Sequence, residues 1–109
     1  MPWKQVTIER PFSPDCLHEL LREGHKGSAS RYTHFDIVEW AGRYASELAK
    51  LHPMPDDQRL IWRITDDMQV RWELHIASHY SINDMKRFSH VDILLPRHFF
   101  QQWLTLLDA

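Results

Sequence analysis

The hydrophobic pattern of residues 60–76 alternates with a period of two. The apolar parity consists of Leu60, Trp62, Ile64, Met68, Val70, Trp72, Leu74 and Ile76. The opposite parity is mostly polar and consists of Ile61, Arg63, Thr65, Asp67, Gln69, Arg71, Glu73 and His75. Because successive side chains of a pleated strand point to opposite faces, this alternation predicts β structure with one buried face and one wet face.

A polar break at residues 65–67 divides the alternating stretch into two strands of a hairpin. A three-residue loop there keeps the apolar parity on one face, so that Trp62 lies opposite Val70. Trp62 and Trp72 are therefore predicted to lie in the core. One uninterrupted strand is the alternative, and it is disfavoured because strands usually run about 5–6 residues.

Two further segments have the composition of strands. Residues 3–9 place Val6 and Ile8 on one face, and residues 89–95 place Val91, Ile93 and Leu95 on one face. We expect a first strand over residues 3–9 and a last strand over residues 89–95.

Start and stop signals predict a first helix after residue 13. Ser13 is suited to the N-cap, Pro14 to the first helical position, and Gly24 to the C-terminal stop. Between them, Leu17 and Leu21 belong to an apolar stripe at helical spacing. The sequence thus predicts an amphipathic helix that ends near Gly24.

Two later helices are predicted from similar signals. Thr33 as N-cap, with Asp36 three residues on, starts a helix over residues 34–52, which Pro53 ends. Pro96 opens a C-terminal helix that continues through Leu107. Together the elements follow the order β-α-α-β-β-β-α. We therefore expect a single α+β domain over residues 1–109, with a mostly antiparallel four-stranded sheet and the helices packed on one face.

Composition and charge narrow the class of protein. The chain has 109 residues, a net charge of −2 and scattered basic residues, so we expect no duplex nucleic acid as partner. No apolar run approaches membrane-spanning length, so we expect no membrane association. The sole cysteine, Cys16, cannot form an internal disulfide, which favours a cytoplasmic protein.

The eight histidines raise the question of a metal site. His75 and His79 are four residues apart, which on a strand separates them by about 13 Å, so a shared ion would require the chain to bend after Ala77. His75, His90 and Asp92 could instead meet on the wet face of the sheet as a metal or catalytic group. The favoured interpretation is a solvated sheet surface of mixed charge, with no metal site and no cofactor.

The loop over residues 24–33 is the best candidate for an anion site. It carries Lys26, Ser28, Ser30 and Arg31 and leads into a helix N-terminus, where free N–H groups favour anions. The alternative is a flexible surface connection, which its glycine and serine content also predicts.

Catalytic signatures are weak in this sequence. Cys16 lies in the first turn of the first helix, but His18 points elsewhere on a helix, so a buried structural cysteine is favoured over a nucleophile. The sequence contains no nucleophile elbow, clustered cysteines or dinucleotide loop. Enzymatic activity is therefore undecided, and the balance of the sequence is against it.

The C-terminal helix is apolar on more than one stripe. Its large residues are Phe99, Phe100, Trp103, Leu104, Leu106 and Leu107. A sheet covers only one side of such a helix, so either other helices wrap it as a well-buried terminal helix, or part of it faces a partner. In the second case we expect Phe100, Trp103 and Leu107 to face the partner while Phe99 and Leu106 face the sheet.

These observations favour one class of function over two others. The favoured class is a non-enzymatic protein–protein interaction module, such as an accessory, inhibitor or immunity-type protein, that forms a homodimer or docks a protein partner. The alternatives are an anion or small-ligand binder that uses the loop over residues 24–33, and a small enzyme or metal site built on histidine and aspartate.

Overall fold

The computed structural model describes residues 7–81 and 93–108, and their regular structure is helical. The four α-helices are α1 (Pro14–His25), α2 (His34–Leu48), α3 (Asp56–His79) and α4 (Arg97–Asp108), and a 3-10 turn (Gly27–Ala29) follows α1. These residues include no β-strand. The predicted α+β fold with an antiparallel four-stranded sheet is therefore wrong, and the regular structure over residues 7–81 and 93–108 is all helical.

The predicted hairpin over residues 60–76 is part of α3. The buried residues of this helix are Ile61, Ile64, Thr65, Met68 and Trp72, which follow helical spacing. Ile61 was assigned to the wet face and is buried, whereas Val70 and Leu74 were assigned to the core and are exposed. Ile64, Met68 and Trp72 belong to the alternating apolar set and also lie four residues apart, as on one face of a helix. The alternation alone therefore did not distinguish a strand from a helix.

The break at residues 65–67 does not interrupt α3. The Thr65 hydroxyl donates to the carbonyl oxygen of Ile61 at 2.9 Å, which satisfies that group within the helix. Asp67 pairs with Arg71 one turn later, at 2.9 Å between Oδ2 and Nε. The polar residues that suggested a loop therefore make contacts typical of a helix.

The predicted starts of α1 and α2 are confirmed. The Ser13 hydroxyl accepts from the backbone N–H of Cys16, and the Thr33 hydroxyl accepts from that of Asp36. Each bond satisfies one N–H that the first turn of a helix leaves free. At the other end, α2 stops at Leu48, four residues before the predicted end.

Helices α2 and α3 form an antiparallel pair. The side-chain amide of Gln69 donates to the carbonyl oxygen of Val38, and the rings of Phe35 and Trp72 lie 5.8 Å apart. The beginning of α2 thus meets the C-terminal half of α3. The short connection over residues 49–55 is sufficient for this reversal.

Helix α4 runs antiparallel to both α1 and α3. Its last turn meets α1 where Asp108 Oδ1 lies 3.1 Å from His18 Nε2, and its first turn brings Phe100 against Gly24. On its other side, the Trp103 indole N–H donates to Asp67 at 2.9 Å. The four helices therefore enclose one core, with α4 lying between α1 and α3.

Gly24 permits the close contact between α1 and α4. A Cβ atom at this position would lie 2.2 Å from a ring carbon of Phe100. The helix continues to His25, so the role of Gly24 is close packing and not the predicted C-terminal stop. The Phe100 ring therefore occupies the space that any larger residue at this position would need.

His34 connects three segments from inside the core. Its side chain has no solvent exposure. Because the backbone N–H of Leu95 donates to Nδ1 at 2.8 Å, the ring proton must lie on Nε2, which donates to the carbonyl oxygen of Gly24 at 2.9 Å. Burial opposes the charged form and lowers the pKa of His34 to about 4. The neutral ring of His34, on α2, therefore joins α1 and the segment that precedes α4 through hydrogen bonds.

The two outer segments assigned to strands are described only in part. Residues 7–9 and 93–95 lie in irregular structure, and they contribute Ile8, Ile93 and Leu95 to the core. The apolar alternation therefore correctly predicted that Ile8, Ile93 and Leu95 are buried, but it wrongly predicted strands over residues 7–9 and 93–95. Residues 3–6 and 89–92 lie outside the described part.

Candidate functional site

The predicted partner face of the C-terminal helix lies inside the molecule. Phe100 is 0% exposed and Trp103 is 1% exposed, while Leu107 is half-buried. Conversely, Leu106, predicted to face a sheet, is 50% exposed. The interface assignment of Phe100 and Trp103 is corrected accordingly: α4 packs between two helices, so its wide apolar surface is covered by its own chain.

The Glu23 carboxylate, on the last turn of α1, binds groups of the candidate anion loop. The ammonium group of Lys26 lies 3.0 Å from the Glu23 carboxylate, which also accepts from the backbone N–H of Arg31. Desolvation acts to raise the pKa of Glu23, but these donors outweigh it and the pKa is lowered. An external anion at Lys26 would have to displace a carboxylate that already pairs with its ammonium group.

A second predicted ligand of that loop is already occupied by the chain. Ser30 is buried, and its hydroxyl donates to the carbonyl oxygen of Tyr32 at 2.6 Å and accepts from the Tyr32 N–H. Ser28 and Arg31 are exposed. Of the four predicted ligands, Lys26, Ser28, Ser30 and Arg31, two thus have side-chain polar groups that bind within the chain, Lys26 to Glu23 and Ser30 to Tyr32.

The predicted group of His75, His90 and Asp92 is described for one member only. His75 lies on α3, whereas His90 and Asp92 lie outside the described residues. His75 stacks on His79, with ring centroids 4.3 Å apart. The distance of about 13 Å expected for a strand is thus wrong for this pair.

Cys16 is buried and unpaired, as the structural interpretation of this cysteine predicted. The Arg10 guanidinium lies 3.8 Å from its sulfur and also pairs with Glu19. Cys16 is 9% exposed and packs in the first turn of α1, with Arg10 and Glu19 beside it.

A groove runs between α3 and α4 on the surface of the described residues. Its centre is Asp67, whose Oδ2 accepts from the Trp103 indole N–H and from Arg71 Nε, each at 2.9 Å. The Arg71 guanidinium also lies over the Phe99 ring, 5.1 Å from its centroid. These contacts hold the groove floor in one arrangement and leave no unpaired charge at its centre.

Apolar side chains form the rims of this groove. Val70 and Leu74, one turn apart on α3, are 44% and 60% exposed, and Leu106 on α4 is 50% exposed. The groove encloses about 440 Å³. Its lining consists of Asp67, Arg71, Gln101, Gln102, Trp103, Thr105 and Leu106. We call this surface, with Val70 and Leu74, the α3–α4 groove.

Sequence reasoning missed the α3–α4 groove because it treated α3 as two strands. Two signals pointed to it: the Asp67–Arg71 spacing of four, which is typical of helical ion pairs, and the equal spacing of Val70 and Leu74. Once residues 56–79 are helical, both pairs occupy neighbouring positions on one side of α3.

Comparisons with known proteins do not indicate a function for this chain. No helix among the described residues has both the length and the apolar character needed to cross a bilayer. No family model, curated protein or solved structure matches the chain.

Proposed function

We propose that this protein is a non-enzymatic protein–protein interaction module whose binding surface is the α3–α4 groove. The observation that carries the proposal is the exposure of three large apolar side chains, Val70 and Leu74 one turn apart on α3 and Leu106 on α4. Grouped apolar side chains in water are costly, and a partner that covers them gains about 25 cal/mol for each Å² buried.

The floor of the groove has the character of an interface centre. Asp67 and Arg71 neutralise each other, and the glutamines and threonine of α4 can exchange hydrogen bonds with a partner. Covering this floor buries no unpaired charge, which removes the largest electrostatic penalty of association. The same contacts tie up the Asp67 carboxylate, which supports binding over acid–base catalysis at this site.

The partner that we propose is a second copy of the chain. Two-fold pairing is the commonest assembly of soluble proteins, and it requires a surface that complements itself. The α3–α4 groove has apolar rims and a neutral, polar floor, so the rim of one copy can fill the groove of the other. This proposal replaces Phe100 and Trp103 with Val70, Leu74 and Leu106 as the interface residues.

Sedimentation velocity between about 1 and 100 μM tests the proposal, since this range brackets a micromolar dissociation constant. We expect the wild type to form dimers and Leu74→Glu to remain monomeric, because the carboxylate would be buried unpaired in the interface. Leu51→Glu is the matched control: Leu51 is 42% exposed at the α2–α3 connection, outside the groove. Circular dichroism checks that both variants keep the wild-type helix content.

Two results would contradict the proposal. If the wild type stays monomeric over the whole concentration range, the chain does not self-associate and the proposed dimer does not form. A dimer that Leu51→Glu dissociates as strongly as Leu74→Glu would place the contact elsewhere on the molecule.

A further inference from the structure

Two histidines lie one turn apart near the C-terminal end of α3. The rings of His75 and His79 are nearly parallel, with an angle of 28° between their planes and centroids 4.3 Å apart. A spacing of four on a helix places both side chains on one face. His75 also contacts Phe99, whose ring packs against Arg71, so the pair lies next to the groove proposed as the interface.

The backbone fixes the tautomer of His79. Its Nδ1 lies 3.0 Å from the carbonyl oxygen of His75, and a carbonyl can only accept a hydrogen bond. The proton of the neutral ring therefore lies on Nδ1, and Nε2 keeps a free lone pair. Metal-binding histidines are commonly oriented in this way, with the second ring nitrogen donating to a carbonyl oxygen.

His75 is held in place by aromatic neighbours. The rings of Tyr80 and Phe99 meet it edge-on, each at 6.3 Å between centroids. Burial, and secondarily the neighbouring His79, lowers the pKa of His75. Both effects favour the neutral imidazole, which is the form that binds metals.

We propose that His75 and His79 together bind a late first-row divalent transition metal ion, with Cu²⁺ bound most tightly. Imidazole nitrogens suit these ions, and the affinity order of divalent ions peaks at copper. Two nitrogens on bonds of about 2.0–2.1 Å lie about 3 Å apart, which small rotations of two stacked rings can provide. No cluster of three ligating side chains occurs among the described residues, so these residues supply two protein ligands to the ion.

The charges around the pair permit a cation. The positive charge nearest along α3 is Arg71, which Asp67 neutralises at 2.9 Å. On α4, His98 packs against Phe99, 4.8 Å between ring centroids, and is exposed to solvent. Neither group presents an unscreened positive charge to the pair.

The experiment is a titration of the untagged full chain with Cu²⁺ supplied as its glycine complex, at pH 7. Calorimetry gives the stoichiometry and affinity, and electron paramagnetic resonance reports the nitrogen ligands. We expect one saturable site and splitting from two imidazole nitrogens. His79→Gln and His75→Gln should each weaken binding by about tenfold or more, because the second ligand no longer binds intramolecularly.

His52→Ala is the matched control, since His52 is an exposed histidine at the α2–α3 connection. It should bind Cu²⁺ like the wild type. The proposal is overturned if no saturable site appears, if His79→Gln retains wild-type affinity, or if His52→Ala weakens binding as much as the α3 variants. His79 is exposed, so His79→Gln tests the site without a change in the core.

Discussion

Nδ1 of His34 accepts a hydrogen bond from the backbone N–H of Leu95 at 2.8 Å, although 61 residues separate the two in sequence. The bond requires a neutral ring, because protonated Nδ1 has no lone pair to offer. The junction of α1, α2 and the segment before α4 therefore depends on the protonation state of one side chain.

The first prediction is that stability falls as the pH drops from about 6.5 to about 4. In this window the unfolded chain protonates His34, whereas the folded chain, with the pKa lowered to about 4, does not. Each pH unit across the window then removes about 1.4 kcal/mol from the free energy of unfolding, or about 3 kcal/mol in all. Below about pH 4 this histidine contributes no further loss.

Urea denaturation at a series of pH values measures this dependence. His34→Gln should be less stable at pH 7, by about 1–3 kcal/mol for the polar partners left unpaired, and its stability should fall less steeply between pH 6.5 and 4. A variant with the same slope as the wild type would assign the acid sensitivity to other groups.

The second prediction concerns Gly24. Gly24→Ala should destabilise the protein by about 1–3 kcal/mol, because the added Cβ overlaps the Phe100 ring in a packed core. Gly42→Ala is the control: its Cβ would meet the end of the flexible Gln69 side chain, 2.9 Å away. We expect Gly42→Ala to cost less, and thermal unfolding of both variants decides. Equal losses of stability in the two variants would show that the Phe100 ring moves aside as readily as the Gln69 side chain.

The third prediction distinguishes the helix from the hairpin that the alternation suggested. Ile61→Asp should destabilise the protein by several kcal/mol, because it buries a charge between α2 and α3. Val70→Asp should change the free energy of unfolding by about 0.5 kcal/mol or less when measured at high dilution, where no dimer forms. The hairpin requires the opposite ranking, so chemical denaturation of the two variants separates the models.

The fourth prediction compares two tryptophans of α3. Trp72→Ala should cost about 3–5 kcal/mol, since the indole is buried against Phe35. Trp62 is only half-buried, so Trp62→Ala should cost clearly less. Urea titrations give both values, and a larger loss for Trp62→Ala would show that the core lies elsewhere along α3.

The N-terminal starts of α1 and α2 were predictable from the sequence because N-capping is local chemistry. Ser13 and Thr33 act on N–H groups three residues away, and no distant contact changes that. The burial of Ile93 and Leu95 was also predictable, because apolar side chains leave water in either kind of secondary structure.

The alternation could not predict that residues 56–79 form a helix, because the apolar residues fit both the period of a strand and the period of a helix. Ile64, Met68 and Trp72 are spaced by four, a distance that a strand and a helix both place on one face. The tryptophans, valine and isoleucines also have high β propensity, which tertiary packing overrides. The α3–α4 groove and the His75–His79 pair were missed for the same reason, because both exist only if residues 56–79 are helical.

The pairing of α1 with α4 sets an order of events for a chain that grows on the ribosome. Helices α2 and α3 can meet as soon as α3 emerges, since only residues 49–55 separate them. Helix α1 must wait for α4, and closing so long a loop is entropically costlier and slower. Until then Leu17, Leu20 and Leu21, all buried in the finished protein, lack part of their cover. Nascent chains halted before residue 97 should therefore expose the α1 leucines to chaperones, and completed chains should not.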